Sequence, residues 1–269
     1  MRRDVALLAG FLSSAPLVSA APPDFPVWPT GCARFDGAQR VECLESIAFD
    51  YGALARYAWA NTTLPTLAPG VRRVVFFGNS ITDNWDNPGY GGFFPGKPYV
   101  NRGISGQTTA QMLLRYRQDV LDLNPAAVVI LAGTNDVAGN AGPVTDAALQ
   151  GNLKSLAELA SFSGIQVVLS SILPVTDVKK GADGRPRVWT DGRPPARLAG
   201  LNRWMKEYAN ANAYTYLDYA TPMTLPDGTL SPELTDDGLH PNAAGYAVMN
   251  PLVEEAIKKA LEPEPVRRP

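Results

Sequence analysis

The sequence predicts an α/β fold: a three-layer α/β/α sandwich around a parallel, flavodoxin-like five-stranded sheet. Two observations lead to this prediction. Short runs of β-branched and apolar residues alternate with longer segments of helical periodicity. The short runs are also apolar throughout rather than at every second position, which is typical of parallel strands covered by helices on both faces.

Five strands and four helices make up the predicted main body. The strands are expected at 74–77, 99–101, 126–131, 166–169 and 215–217. The helices are expected at 108–123, 145–163, 195–211 and 242–261. In the first of these helices apolar residues recur at helical spacing among Gln, Arg and Asp, as expected for a helix packed on a core.

The region before the sheet is predicted to hold an export signal. Arg2 and Arg3 precede an apolar run at 5–12, and residues 18–21 (VSAA) resemble a signal-peptide cleavage site. Because the run is too short to span a bilayer, we predict a secreted or periplasmic protein without a stable membrane anchor. The expected divisions are a signal peptide at 1–20, a linker and helical extension at 21–70, the main domain at 71–262 and a tail at 263–269.

The helical extension is predicted from apolar residues at helical spacing between about 41 and 60, which indicate one amphipathic helix. Two cysteines, Cys32 and Cys43, lie before and inside it. In an oxidising compartment they are expected to form a disulfide that stabilises the fold by roughly 2–3 kcal/mol. The alternative is a pair of buried thiols. Neither cysteine lies near the polar motifs described below.

Composition excludes several classes of function. The chain has 269 residues, 45% of them hydrophobic, and a formal net charge of -2. Because phosphate binding requires a clustered basic surface, no nucleic-acid partner is expected. A single histidine rules out the His-Glu-x-x-His zinc motif, and no dinucleotide or phosphate-loop fingerprint occurs, so neither metal nor cofactor is predicted. Composition does not predict the oligomeric state.

Three polar, glycine-containing segments follow three of the predicted strands. They are residues 78–82 (GNSIT), 101–106 (NRGISG) and 133–136 (GTND). Ligands of open parallel sheets bind at the carboxyl ends of the strands. These segments are therefore expected to share one site.

The only histidine, His240, lies in residues 237–241 (DGLHP), just before the last predicted helix. A serine nucleophile needs a neighbouring base, and imidazole is suited to that task. Asp237 is placed three residues earlier, where its carboxylate can orient the ring. The alternative is a surface histidine that caps the helix beginning near Asn242.

Several serines are candidates for the nucleophile. Ser80 directly follows an apolar strand and is modestly favoured. Ser105, Ser170 and Ser171 also follow strands, and no Gly-x-Ser-x-Gly elbow exists to separate them.

Four segments together resemble the SGNH hydrolases, also called the GDSL esterase/lipase family. GNSIT resembles the nucleophile block, NRG the glycine block, GTND the asparagine block and DGLHP the acid–histidine block. Each block is weakly specific alone, whereas all four in order form a specific signature over about 71–261. The resemblance implies that the main domain at 71–262 is the hydrolase domain.

The resemblance also implies a role for each matching residue. Ser80 would be the nucleophile, His240 the base and Asp237 the acid that orients it. The oxyanion hole would consist of the backbone N–H groups of Ser80 and Gly103 and the side-chain amide of Asn135. Taken without the family, Asn135 would be read as part of an ordinary turn.

One residue departs from the family pattern. Asn79 replaces the aspartate that usually precedes the nucleophile. In the family this residue supports the loop, so activity is expected to survive the change.

Aromatic residues in two long loops are candidate substrate contacts. Trp85, Phe93 and Phe94 follow the nucleophile segment, and Trp189 lies in the loop at 174–195, which also carries several basic residues. An equally good interpretation is that Phe93 and Phe94 close the edge of the domain. The expected substrate is a small-molecule or carbohydrate ester with a short acyl chain. The alternatives are an amide deacetylase of cell-wall sugars and a non-catalytic carbohydrate-binding protein.

Overall fold

The computed structural model describes residues 36–90, 92–178 and 184–262. At its centre is a five-stranded sheet in which every pair of neighbours is parallel, in the order β2-β1-β3-β4-β5. The strands are β1 (Val74–Gly78), β2 (Tyr99–Gly103), β3 (Ala127–Leu131), β4 (Gln166–Ser170) and β5 (Thr215–Leu217). This is the flavodoxin-like strand order, so the predicted fold class is confirmed.

The register of the central strands brings the predicted polar segments to one level. Gly78, at the end of β1, pairs with Gly103 of β2 on one side and with Leu131 of β3 on the other. All five residues of β1 and of β3 are buried, as their apolar sequences predict. The chain therefore leaves three adjacent strands side by side at the same edge of the sheet.

Helices cover both faces of the sheet. They are α1 (Gly37–Phe49), α2 (Ala55–Thr62), α3 (Ser80–Asp83), α4 (Thr109–Asp119), α5 (Thr134–Val137), α6 (Asp146–Phe162), α7 (Pro195–Ala211), α8 (Ala220–Met223) and α9 (Ala243–Leu261). On one face a buried cluster includes residues of α4, α6 and α7 such as Met112, Leu153 and Met205. On the other face α8 and α9 contribute Met223 and Met249. The result is the predicted three layers.

The N-terminal extension differs from its prediction. Two helices, α1 and α2, occupy the region that was expected to form one. The carboxylate of Asp50 accepts hydrogen bonds from the N–H groups of Leu54 and Ala55 at 2.8 and 2.9 Å. Ala53, which lies between the two helices, has a positive φ of 53°. Because the first N–H groups of a helix have no partner inside it, this aspartate starts a new helix rather than continuing the old one.

Several predictions fall outside the described residues. They concern the signal peptide at 1–20, the linker that follows it, Cys32 and the tail at 263–269. The signal peptide, the disulfide and the domain boundaries therefore stay predictions. Within the described helices, none combines the length and apolar character needed to cross a membrane.

Candidate active site

A tight strand-to-helix turn holds Ser80 at the carboxyl edge of the sheet. Ser80 is the first residue of α3, and the side chain of Asn79 caps the helix by accepting a hydrogen bond from the N–H of Ile81 at 3.0 Å. A Cβ atom on Gly78 would lie 2.1 Å from the hydroxyl of Thr82, so only glycine fits before this turn. Among the described residues the Nδ2 atom of Asn79 is buried without an acceptor.

Asp237 fixes the only imidazole of the chain. One of its carboxylate oxygens accepts the backbone N–H groups of Leu239 and His240 at 2.8 and 2.7 Å. The other oxygen lies 2.6 Å from Nδ1 of the His240 ring. Burial by itself would raise the pKa of Asp237, but the hydrogen bonds from His240 and Leu239 outweigh it and hold this pKa well below its usual range.

The opposite edge of the ring faces the serine. Nε2 of His240 lies 2.9 Å from the Ser80 hydroxyl oxygen. Since Nδ1 donates its hydrogen to the Asp237 carboxylate, Nε2 of the neutral ring is the acceptor for the Ser80 hydroxyl. Hydroxyl, imidazole and carboxylate thus form one continuous line of hydrogen bonds.

The other candidate serines are engaged elsewhere. Ser105 donates to Asp83 through its hydroxyl at 2.7 Å, and Ser170 donates to the carbonyl of Ile130 at 3.0 Å. The hydroxyl of Ser171 accepts two backbone N–H groups at the start of α8. Within the described residues, Ser80 is the one serine bonded to the imidazole.

Asn135 and Asp136 lie in the short helix α5 rather than in a simple turn. The side-chain amide of Asn135 donates to the carbonyl of Gln107 at 2.9 Å. The carboxylate of Asp136 accepts the N–H of Thr109 at 3.0 and 3.1 Å and its hydroxyl at 2.5 Å. Burial raises the pKa of Asp136 to about 6, although its hydrogen bonds oppose the shift.

The predicted donor role of Gly103 is wrong. Its N–H already donates to the side-chain oxygen of Asn101 at 2.8 Å, so it is not available to a substrate. Gly103 does allow the backbones of β2 and α3 to approach each other closely, because a Cβ atom here would lie 2.1 Å from the backbone nitrogen of Asp83. Gly103 therefore lets β2 pack against α3.

Gly106, three residues further on, was not singled out by the sequence analysis. It is exposed, has a φ of 81°, and a Cβ atom added to it would meet nothing within 4 Å. The residues before and after it in the chain are hydrogen-bonded to residues of the site. Ser105 is bonded to Asp83 of α3 through its N–H at 3.0 Å, and the carbonyl of Gln107 accepts the Asn135 amide. The sequence signal was present, since glycine is the residue that most readily adopts a positive φ.

The N-terminal extension contacts the loop that contains Gly106. The hydroxyl of Tyr57 in α2 donates to the carbonyl of Gly103, and its ring lies 4.7 Å from the guanidinium of Arg102. The side-chain amide of Gln107 donates to the carbonyl of Gly52 at 2.9 Å. Residues 52–57 thus support the end of β2 and the loop that follows it, up to Gln107.

Arg115 is a second support that the sequence analysis missed. This fully buried side chain in α4 donates to the carbonyls of Gly78 and Arg102 at 3.0 and 2.9 Å and to the Gln107 side chain at 2.5 Å. Its charge is balanced by Asp119, one turn later, at 3.0 Å. An Arg–Asp pair at i, i+4 on the apolar face of a predicted helix was the available signal.

The predicted substrate contact by Trp85 is wrong. Trp85 is 1% exposed, and its ring packs against Phe76 at 5.6 Å and Tyr246 at 5.1 Å, while its Nε1 donates to Asn250. The rings of Phe93 and Phe94 lie 5.0 and 5.3 Å from Phe76. This packing favours the interpretation that they close the edge of the domain.

Trp189 lies against the histidine-bearing loop instead. Its indole Nε1 donates to the backbone carbonyl of Asp237 at 2.6 Å. The backbone N–H of Trp189 donates to Asp177 at 2.8 Å, which anchors the loop that carries it. Its predicted role as a substrate contact stays a prediction. Within the described residues, no group of three or more His, Cys, Asp or Glu side chains is arranged to hold a metal ion.

Comparison with known proteins supports the family resemblance. The sequence model of the GDSL-like lipase/acylhydrolase family matches residues 76–248. A crystal structure of a GDSL-like lipase from Bacteroides thetaiotaomicron is similar to this chain, with 41% identity and a TM-score of 0.70. That similarity covers 78% of this chain and 100% of the lipase.

Two further relatives are more distant. The uncharacterized lipoprotein YqeF of Bacillus subtilis is 32% identical over 162 residues, which are 52% of this chain and 64% of YqeF. The match therefore spans less than two thirds of that protein. A mutant of Axe2, an acetyl-xylooligosaccharide esterase from Geobacillus, is 22% identical with a TM-score of 0.52, covering 74% of this chain and 97% of Axe2. That likeness shows the fold alone.

The matched residues 76–248 include every segment that meets at the site, from the nucleophile turn to the histidine loop. This chain belongs to the GDSL-like lipase/acylhydrolase family of carboxylic ester hydrolases.

Proposed function

We propose that the protein is an exported serine esterase that hydrolyses short acyl esters through an acyl-enzyme on Ser80. The single observation that carries this proposal is the line of hydrogen bonds from the Ser80 hydroxyl through His240 to Asp237, at 2.9 and 2.6 Å. Ser80 is the nucleophile, His240 the general base and Asp237 the group that orients the imidazole.

The reaction follows from this geometry in two halves. The Ser80 hydroxyl oxygen attacks the ester carbonyl carbon while its proton passes to Nε2 of His240. The tetrahedral intermediate collapses, the bond to the alcohol oxygen breaks, and His240 returns the proton to the leaving alcohol. Water then attacks the acyl-enzyme with the same proton movements, releasing the carboxylic acid and free Ser80.

The negative oxygen of the intermediate needs preorganised donors. We assign this role to the backbone N–H of Ser80, the backbone N–H of Gly106 and the side-chain amide of Asn135. Gly106 replaces Gly103, because the N–H of Gly103 is bonded to Asn101 whereas that of Gly106 has no acceptor among the described residues. One amide hydrogen of Asn135 is held by Gln107, which leaves the other for the substrate.

Export and substrate class complete the proposal. The predicted signal peptide places the protein outside the cytoplasm, where the Cys32–Cys43 disulfide can form. The relative YqeF is itself called a lipoprotein, which is compatible with an extracytoplasmic site. Carbohydrate-linked acetyl groups are the substrate class we favour, because the 174–195 loop carries several basic residues and Trp189, which contacts the histidine-bearing loop.

A fluorophosphonate probe tests the central assignment, because it labels only an activated serine. We expect the wild-type protein to be labelled and to hydrolyse 4-nitrophenyl acetate, with Ser80→Ala losing both while keeping its circular dichroism spectrum. Ser105→Ala is the matched control and should still be labelled. Labelling that persists in Ser80→Ala would overturn the proposal, and a protein that binds acetylated sugars without being labelled would be a non-catalytic binding protein.

A further inference from the structure

Arg193 contacts two residues, Thr134 and Trp189, that adjoin the proposed active site. It lies just before α7 and is only 5% exposed. Its Nε donates to the hydroxyl of Thr134 at 3.0 Å, and its guanidinium carbon lies 5.2 Å from the centre of the Trp189 ring. In the described part of the chain its two terminal nitrogens make no hydrogen bond.

The charge of this arginine is not balanced by the protein. Three arginines are buried in the described residues: Arg102, Arg115 and Arg193. Arg115 pairs with Asp119 at 3.0 Å, and the same carboxylate stabilises the charged form of Arg102. Within the ranges that the structure describes, Arg193 has no carboxylate partner. Burial lowers the pKa of Arg193 to about 10, and no acidic group opposes the shift. The side chain is still cationic at neutral pH.

Both contacts of Arg193 are parts of the site. Thr134 directly precedes Asn135, the proposed oxyanion donor, in α5. Trp189 donates through its indole nitrogen to the carbonyl of Asp237 at 2.6 Å. The guanidinium therefore contacts one residue that precedes Asn135 in the chain and one that is hydrogen-bonded to Asp237. Because an unpaired buried charge is destabilising, a purely structural role would be served better by a neutral side chain.

We propose that Arg193 binds a carboxylate of the substrate, so that the enzyme prefers esters that carry a negative charge near the scissile bond. The proposal rests on the hydrolytic function proposed above. A guanidinium binds carboxylate through paired, charge-assisted hydrogen bonds, and the free terminal nitrogens of Arg193 are the donors. The carboxylate belongs either to the acyl portion or to the alcohol portion of the ester, and matched substrates separate the two.

The test compares two substrate pairs, each with the same carbon skeleton and differing in one carboxylate. For the acyl portion the pair is 4-nitrophenyl hemiglutarate and 4-nitrophenyl valerate. For the alcohol portion the pair is the acetate ester of methyl glucuronoside and that of methyl glucoside. We expect wild-type kcat/KM to favour the charged member of one pair, and Arg193→Gln to reduce that preference by about 10- to 100-fold, the usual strength of a charged hydrogen bond. Arg203→Gln, which removes an exposed charge from α7, is the matched control and should keep the preference.

Three outcomes would overturn the proposal. The wild-type enzyme could show no preference for the charged member of either pair. Arg193→Gln could slow both members of a pair equally, which indicates a positioning role. Arg193→Lys, which keeps the charge without the paired donors, could retain the full preference, as the control Arg203→Gln should. That result would show that the guanidinium makes no paired contact with the substrate.

A binding measurement separates this proposal from the hydrolytic one. Glutarate or glucuronate should raise the melting temperature of Ser80→Ala, and adding Arg193→Gln should remove that rise. If the wild-type enzyme hydrolyses no ester but this shift is present, the proposed hydrolytic function is wrong and the carboxylate-binding site is supported. If hydrolysis depends on Ser80 and neither carboxylate shifts the melting temperature, only the carboxylate site fails.

Discussion

The ring of His240 lies 2.9 Å from the hydroxyl oxygen of Ser80, although 160 residues separate the two in the chain. The two segments meet because β1 delivers Ser80 to the carboxyl edge of the sheet and the loop before α9 returns to the same edge. The carboxylate of Asp237 completes the contact by accepting four hydrogen bonds within its own loop, from Thr235, Leu239 and His240.

Asp237→Asn should lower kcat by up to about 10⁴-fold, because the amide cannot hold the imidazole in the tautomer that accepts the Ser80 proton. The neighbouring Asp236 is the matched control, since its exposed carboxylate accepts only a 3.2 Å hydrogen bond from Asn242. Steady-state kinetics with 4-nitrophenyl acetate measures both variants. Equal losses in Asp237→Asn and Asp236→Asn would contradict the assignment.

Asn135→Ala should lower kcat by about 10²–10³-fold with a smaller change in KM, because it removes a donor that acts on the developing oxyanion. Asn135→Asp has nearly the same shape but adds a negative charge, so its loss should be at least as large. The kinetic comparison is decisive if both variants keep the melting temperature of the parent within a few degrees. An Asn135→Asp variant with parental kcat would exclude this donor.

Tyr57→Phe tests whether the N-terminal extension supports the active-site loop. Burial raises the pKa of Tyr57 to about 12, so its hydroxyl stays protonated and donates to the Gly103 carbonyl throughout the neutral range. Its removal should reduce stability by about 1–2 kcal/mol and lower kcat several-fold, with KM nearly unchanged. Tyr51→Phe alters an exposed tyrosine of the same extension and is the control. A lower melting temperature with parental kcat would show that the extension only stabilises the fold.

Asp136 should make the stability of the protein depend on pH. Because burial raises its pKa from 3.8 to about 6, the folded protein binds more protons than the unfolded chain between about pH 4 and pH 6. The free energy of unfolding contributed by this group therefore falls as pH rises through that window, by up to about 3 kcal/mol. Urea titrations at pH 4, 5, 6 and 7 should show that the free energy of unfolding declines less in Asp136→Asn than in the wild-type protein. The exposed Asp122→Asn is the control, and a decline equal in all three proteins would refute the assignment.

Trp85→Ala should destabilise the fold by about 3–5 kcal/mol, as expected for a large side chain removed from a packed core. The Trp85 ring is 1% exposed, whereas Phe162, the control for an alanine substitution, is 94% exposed. Chemical denaturation measures both variants. If Trp85→Ala retained parental stability and raised KM instead, the ring would be part of the substrate pocket after all.

Local pattern was sufficient to predict the five strands and the four long helices of the main body, but not the short helices α3, α5 and α8. Runs such as 74–77 and 126–131 are apolar at every position, and that pattern is satisfied only where both faces of a strand are covered. The same local reasoning joined the two helices of the extension into one, because it did not anticipate that the Asp50 carboxylate would cap a second helix.

The amino-acid sequence already identifies the candidate catalytic side chains: one histidine, an aspartate three residues before it, and a serine at the end of an apolar strand. The neighbours of the other candidate residues are fixed only when the chain folds. The N–H of Gly103 is occupied because Asn101 folds back on it, Trp85 is buried because three distant segments pack around it, and Arg193 lacks a carboxylate among the described residues. Strand and helix follow from the sterics of adjacent residues, whereas donor availability, burial and charge balance depend on contacts between residues far apart in the chain.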